Sequence, residues 1–332
     1  MEDKSFKKKP RENARRGKQG YAGGGSAPTY SGRGRGEQSR RADGDRHRQA
    51  PKSKAREAQR DGEVYCSDNS LYGTADGSAE VGEDSYCGIV AGRNSVRELL
   101  RSGRSIDKLF VRAGDREGSV TVLVAEALKR KIPVVEATQE KLDSLSGGVN
   151  HQGVVAMAAQ KEYTDIDSVL AAAAEKGEKP LIVIADGIED PHNMGALIRC
   201  AECSGAHGVV IPKRRSCGIT PVVVKASAGA IEHMAVVKVA NIAQTVESLK
   251  KKGLWVFASE AGGTDFYEAD FNVPAAIVFG SEGEGISRTV KEKCDFLISI
   301  PMYGKVNSLN VSTAASVILS RAARMQRGAS AQ

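Results

Sequence analysis

From Pro180 onward, short apolar runs rich in β-branched residues recur at 181–185, 208–211, 235–239, 254–259, 275–279 and 296–300. Near-continuous apolar runs of this length predict strands covered on both faces, as in a parallel sheet. Between them, apolar residues spaced by three and four predict helices over 193–203, 220–225, 242–252, 286–293 and 307–325. That alternation predicts an α/β fold, a doubly wound parallel sheet. A shorter alternation precedes it. Val96, Leu99 and Leu100 form a helical stripe after an Asn94-Ser95 cap, and KLFV (108–111) reads as a strand. Val120, Leu123, Val124 and Leu128 mark a helix over 120–131. A strand at 132–135, a helix at 139–145 and a strand at 154–158 complete a small α/β/α sandwich.

The predicted organisation is a tail at 1–85, a small domain at 86–162, a linker with an Ala-rich helix at 163–179, a large domain at 180–328 and a short end at 329–332. Charge separates along the same lines. Residues 1–60 carry 18 Lys+Arg against 7 Asp+Glu, whereas residues 61–85 carry 7 acids and no base. The basicity is therefore concentrated in residues 1–60, and the chain after residue 85 is nearly neutral. With almost no branched aliphatics, 1–85 cannot bury enough surface to offset ordering and reads as disordered. It is either a solvated tail or an arm for nucleic-acid phosphates. The clean separation of charge favours non-specific RNA contacts.

Six cysteines show no secreted spacing. Cys200 and Cys203 form a CxxC, but no second CxxC or paired histidine completes a four-ligand metal site. The expectation is no metal and two small apolar residues one helical turn apart. No apolar run approaches the ~18 residues of a membrane span, and the first residues are too charged for a secretory signal. A cytoplasmic protein is expected.

Three loops at predicted strand ends carry the chemistry: DPHNMGALIR (190–199), FGSEGEG (279–285) and IPMYGKVNSLNVS (300–312). In open α/β sheets ligands bind beyond the carboxyl ends of strands, so the three describe one pocket. Gly280, Gly283 and Gly285 allow close backbone approach, and Glu282 lies inside that turn. The spacing is G-x-x-G-x-G, not the dinucleotide G-x-G-x-x-G, and no P-loop is present. Ser308 and Asn310 lie two apart at a predicted helix start, where they either cap it or face a ligand. Arg199, in an otherwise apolar helix, is costly to bury without an anion, which points to a functional arginine. Asn193, nearly two turns earlier, is expected to face the same cleft.

Together these residues resemble the SpoU (TrmH-like) branch of the SPOUT-type RNA 2'-O-methyltransferases. Asn193, Gly195 and Arg199 match the first motif of that family; Gly280, Glu282, Gly283 and Gly285 match the second. Pro301, Met302, Gly304, Ser308, Leu309, Asn310 and Ser312 match the third. HQGVVA (151–156), PKRRS (212–216) and KASAGAIEH (225–233) are similar to the 23S rRNA guanosine 2'-O-methyltransferases. The resemblance implies S-adenosyl-L-methionine held in a C-terminal trefoil knot, with Gly280, Ile300 and Leu309 supplying backbone contacts and Met302 and Gly285 beside them. It also implies a ribosomal-protein-like RNA-binding domain at 86–162 and a homodimer with the cofactor pocket near the subunit interface.

The resemblance implies that Arg199 is the activating group, that Asn193 orients Arg199 or the ribose, and that Glu282, Ser308 and Asn310 shape the site and hold that orientation. An arginine stays protonated, so a positioning and electrostatic role suits Arg199 better than that of a base. His192 is assigned a structural role. The expected reaction is methylation of a guanosine ribose in 23S rRNA. The alternatives are a tRNA ribose enzyme, an antibiotic-resistance rRNA enzyme and a non-catalytic assembly factor.

Overall fold

Val183, Ile184 and Ala185 are consecutive and wholly inaccessible to solvent, so their strand has packing partners on both faces. A computed structural model describes residues 88–114 and 118–328, leaving the predicted tail outside the described residues. The larger sheet contains β5 (Leu181–Asp186), β6 (Gly208–Pro212), β7 (Ala235–Val239), β8 (Trp255–Asp265), β9 (Ala275–Gly280) and β10 (Phe296–Ser299). Its order is β10-β8-β9-β5-β6-β7, and every pairing is parallel. Helices α5 (Pro191–Cys203), α6 (Pro221–Ala226) and α9 (Val311–Arg327) supply the core on one face. Helices α4 (Ile166–Glu175), α7 (Ile242–Lys251) and α8 (Arg288–Lys291) supply the other. The doubly wound prediction is correct.

The smaller sheet orders β1 (Ile89–Ala91), β4 (Val154–Ala158), β2 (Ile106–Arg112) and β3 (Val134–Ala137) side by side. β4 is antiparallel to both β1 and β2, and only β2 and β3 run parallel. Helices α1 (Arg93–Ser102), α2 (Ser119–Lys129) and α3 (Gln139–Ser146) flank it. β1 is too short to carry a periodic signal and has no counterpart in the sequence reading.

Several local expectations need correction. Asn94 and Ser95 lie inside α1, whose N-cap is Gly92 with no side-chain cap bond. Gly92 is required there: its φ is +98°, and a Cβ would come within 2.1 Å of the Lys225 ammonium. Leu128 is 59% exposed while Ala127 takes the buried position, because the apolar stripe of α2 turns one residue earlier. α9 begins at Val311 rather than 307, because the Asn310 side chain accepts from Ser312 N and starts the helix there. Val169 of α4 packs into the core of the larger sheet, so the predicted linker helix also builds the large domain.

The two domains meet through KASAGAIEH, which lies against α1. Ser95 Oγ donates to Val224 O at 3.4 Å, and His233 Nε2 lies 3.1 Å from Glu98 Oε2. Arg104 Nη1 lies 3.3 Å from Glu232 Oε2, with side chains 11% and 0% exposed. Lys161 Nζ donates to Glu232 O at 3.3 Å. HQGVVA serves the small domain: Gly153 N donates to His151 Nδ1 at 3.0 Å. Its Nε2 lies 3.0 Å from Asp143 Oδ1 and 3.0 Å from the Gln139 amide nitrogen.

Candidate active site

The three loops leave the carboxyl ends of β5, β9 and β10, as a ligand site in such a sheet requires. α5 begins cleanly: Asp190 accepts from His192 N at 3.2 Å and Asn193 N at 3.1 Å, with Pro191 at the first helical position. The 280–286 turn closes through Ser281 and Gly285, whose backbones exchange bonds of 3.1 and 3.0 Å. Gly280 allows this closure, since a Cβ there would lie 2.1 Å from the Gly285 carbonyl carbon.

Asn310 joins the loops. Its Nδ2 donates to Asn193 Oδ1 at 3.0 Å and also to Glu282 Oε1. Its Oδ1 accepts from Ser312 N at 2.9 Å and Ser312 Oγ at 2.6 Å. The cap reading of Asn310 is observed through its amide oxygen, while its amide nitrogen joins Asn193 and Glu282.

Two cavities adjoin this junction. One of about 480 Å³ is lined by Ser259, Glu260, Ile300, Met302, Ser308 and Leu309. The other, about 1220 Å³, is lined by Asn193, Glu282, Gly285, Arg214, Arg215 and Val311 among others. Leu309 lines the first and Val311 the second; Asn310 lines neither but lies between them along the chain, and its amide partners Asn193 and Glu282 line the second, which puts it at the partition. Of the residues expected to hold a cofactor, Ile300, Met302 and Leu309 line the narrow cavity. Gly285 lines the wide one, and Gly280 lines neither.

Arg199 is exposed and lines neither cavity, which corrects the argument from burial. Six residues at about 100° each leave Asn193 and Arg199 on different faces of α5. Cys200 and Cys203 are free thiols. Burial pushes the Cys200 thiol up, and its Sγ donates to Ser312 O at 3.4 Å, tying α5 to α9. Among the described residues no group of three or more His, Cys, Asp or Glu is placed to hold a metal.

Sequence reasoning missed Glu260 and Asp186. Glu260 Oε2 accepts from Ile286 N at 3.3 Å while Oε1 pairs with Lys291 at 2.9 Å; Asp186 Oδ2 accepts from Ser287 N at 2.8 Å. Both hold the 280–287 turn against neighbouring strands. Their only signal was an acid just past an apolar run.

Residues 180–320 match the SpoU rRNA methylase family, and residues 89–164 match the RNA 2'-O ribose methyltransferase substrate-binding domain. The putative TrmH family tRNA/rRNA methyltransferase YacO of Bacillus subtilis is 47% identical over 231 residues, covering 69% of this chain and 92% of that protein. The chain belongs to the SpoU/TrmH family of RNA methyltransferases. A Staphylococcus haemolyticus relative, named a putative TrmH family tRNA/rRNA methyltransferase, is 45% identical, covering 70% of this chain and 93% of its own. A solved RNA 2'-O ribose methyltransferase superposes with a TM-score of 0.59 at 26% identity, covering 71% of this chain and 88% of its own. The SpoU methyltransferase AviRb of Streptomyces viridochromogenes, solved with AdoMet, shares the fold at a TM-score of 0.59 and 24% identity, with coverage of 71% and 89%. Among the described residues no helix is long and apolar enough to cross a membrane.

Proposed function

We propose that this methyltransferase moves the methyl group of S-adenosyl-L-methionine to the 2'-hydroxyl of a guanosine ribose in 23S rRNA. The observation that carries the reading is the partition at Asn310. A narrow cavity with the apolar side chains of Ile300, Met302 and Leu309 suits the donor, and the wide cavity beside it suits a nucleotide. The sulfonium methyl is already electrophilic, so the protein's task is to align the hydroxyl and ease loss of its proton. Alignment alone supplies several kcal/mol of the barrier. Asn193, Glu282 and Asn310 hold the partition in one geometry, and Ser308 shapes the donor side.

The loop that lines the donor cavity continues into an exposed apolar surface: Tyr303 is 96% exposed, Val306 70%, and Leu309 and Val317 each 39%. Such a surface beside a reaction centre supports a homodimer with the donor pocket near the interface. It also leaves Arg199 a role in electrostatics and positioning from a solvent-facing side of α5. The trefoil knot belongs to the same reading. The small domain presents the RNA, consistent with its family match, and HQGVVA, PKRRS and KASAGAIEH favour 23S rRNA over tRNA.

A mass-spectrometric map of 2'-O-methyl sites in a deletion strain tests the substrate; loss from one 23S rRNA guanosine is expected, and loss from a tRNA overturns that choice. With tritiated donor, Arg199→Ala is expected to bind donor normally and transfer nothing. Full activity removes Arg199 from the mechanism.

A further inference from the structure

PKRRS was singled out in the sequence, yet neither the donor cavity nor the Asn310 junction uses it. We propose that the turn Lys213-Arg214-Arg215 is a clamp for the RNA phosphodiester flanking the target nucleotide, orienting the strand as it enters the wide cavity. The inference rests on the reading of that cavity as the nucleotide site.

β6 ends at Pro212, and the three cations that follow are all exposed. Four cations line the wide cavity: Arg214, Arg215, Arg288 and Lys291. Lys291 is paired with Glu260 at 2.9 Å, and Arg288 with Glu292 at 2.8 Å. Among the described residues no carboxylate lies within ion-pair distance of Lys213, Arg214 or Arg215. The remaining charged residues of the lining are acidic: Asp186, Glu189, Asp190, Glu282 and Glu284. A polyanion entering such a cavity is repelled by the acidic walls and held by uncommitted cations on one side. Guanidinium groups match phosphate geometry through two parallel N–H bonds, which adds direction to charge.

The turn is also held in place. Lys213 N donates to Val239 O at 2.8 Å, and Cys217 N donates to Ile188 O at 3.0 Å. Ser216 Oγ donates to the same Ile188 carbonyl at 3.4 Å. Arg215 has φ +55°, a conformation rare outside glycine and asparagine, so the side-chain direction is set by the backbone. Ile188 precedes Asp190 and Asn193, so one short segment links the phosphate grip to the residue that reaches the partition.

The test uses the full chain and its Arg214→Gln/Arg215→Gln variant, with a full-length 23S rRNA transcript as probe. Filter binding across a salt series measures the slope of log affinity against log salt. The variant is expected to lose about 0.7 per phosphate contact from that slope. With tritiated donor, KM for RNA is expected to rise about tenfold or more with kcat little changed, and the Kd for S-adenosylmethionine to stay the same. An Arg214→Lys/Arg215→Lys variant should recover the slope but only part of the KM, since charge returns without the fork. A glutamine variant that melts at the parent temperature with unchanged slope and KM overturns the clamp. A parent chain that binds donor yet methylates no rRNA overturns the functional reading instead, and the binding slope still decides the clamp.

Discussion

Asn310 Nδ2 donates to Asn193 Oδ1 at 3.0 Å, joining the start of α9 to the first turn of α5 across a sequence separation of 117 residues. The same amide nitrogen reaches Glu282, so one side chain ties together three loops that the sequence keeps apart. Its oxygen meanwhile caps α9. Stability and site geometry are therefore coupled at one residue, and substitutions separate them.

Asn310→Ala removes both functions. The lost cap costs about 1 kcal/mol. Asn310→Asp keeps the cap acceptor but sets a second carboxylate against Glu282. We expect the Asp variant to melt close to the parent while its transfer rate falls about a hundredfold, the scale of a misplaced reactive group. Thermal melting together with tritiated-donor kinetics checks both halves; an Asp variant with parental turnover contradicts the partition role.

Gly280→Ala places a Cβ 2.1 Å from the Gly285 carbonyl carbon and 2.3 Å from Ile286 N, all backbone atoms with nowhere to go. Overpacking of this kind costs about 1–3 kcal/mol. The turn must open, and Glu260 and Asp186 then lose their bonds to Ile286 and Ser287. Calorimetry should show weaker S-adenosylmethionine binding as well as lower stability. Parental affinity would mean that the turn does not shape the donor pocket.

Glu232 is buried at the domain junction opposite Arg104 and near Lys161. Burial raises its carboxyl above the ordinary glutamate value, against the pull of Arg104, and burial lowers the Lys161 ammonium. Glu232→Ala strands two cations in the junction and is expected to cost about 3–5 kcal/mol. Replacing Arg104 and Glu232 together by Met and Leu should cost far less. Denaturant titration of both variants distinguishes a lost partner from lost packing.

His207 Nδ1 accepts from Leu181 N at 3.1 Å, and its Nε2 faces Glu178 Oε2 at 3.0 Å. Burial holds the ring below the ordinary histidine value despite Glu178. The unfolded chain therefore takes up this proton at higher pH than the fold does. Stability is fully present above about pH 6.5 and falls as pH drops below it. His207→Asn keeps an acceptor for Leu181 N and should flatten that part of the profile. An unchanged profile in the variant would assign the acid loss to other groups.

Cys294 has its thiol pushed up to about 12, first by burial and then by Asp295, and its Sγ donates to Val290 O at 3.3 Å. The thiolate is the reactive form. Iodoacetamide at about pH 8 should leave Cys294 unmodified in the native protein and label it after denaturation. Peptide mass mapping reads the site, and native labelling would show that α8 opens readily.

Much of the fold was legible because burial on both faces writes itself as continuous apolar runs. LIVIA of β5 and AVVKV of β7 are read within a residue of their observed limits. Elements whose stability is borrowed were not legible. β1 has three residues and exists by pairing with β4, and α8 keeps a single turn of the predicted 286–293. The site divided the same way. Residue types and strand ends placed Asn193, Glu282 and Asn310 in one neighbourhood. Helical spacing misjudged Arg199, because an apolar environment in sequence is not burial in space.

By itself, then, the amino-acid order determined which segments become strands and helices, that the sheet is parallel, and that three glycine- and asparagine-bearing loops lie at its carboxyl edge. Those follow from periodicity and short-range backbone preference, which act within a turn or two of the chain. Only the tertiary structure decided that Asn310 partitions two cavities, that Arg199 faces solvent and that KASAGAIEH is a domain seam. Each of these depends on which side chains meet across a hundred residues or more, or on which face of a helix is covered. Local propensity carries no record of either.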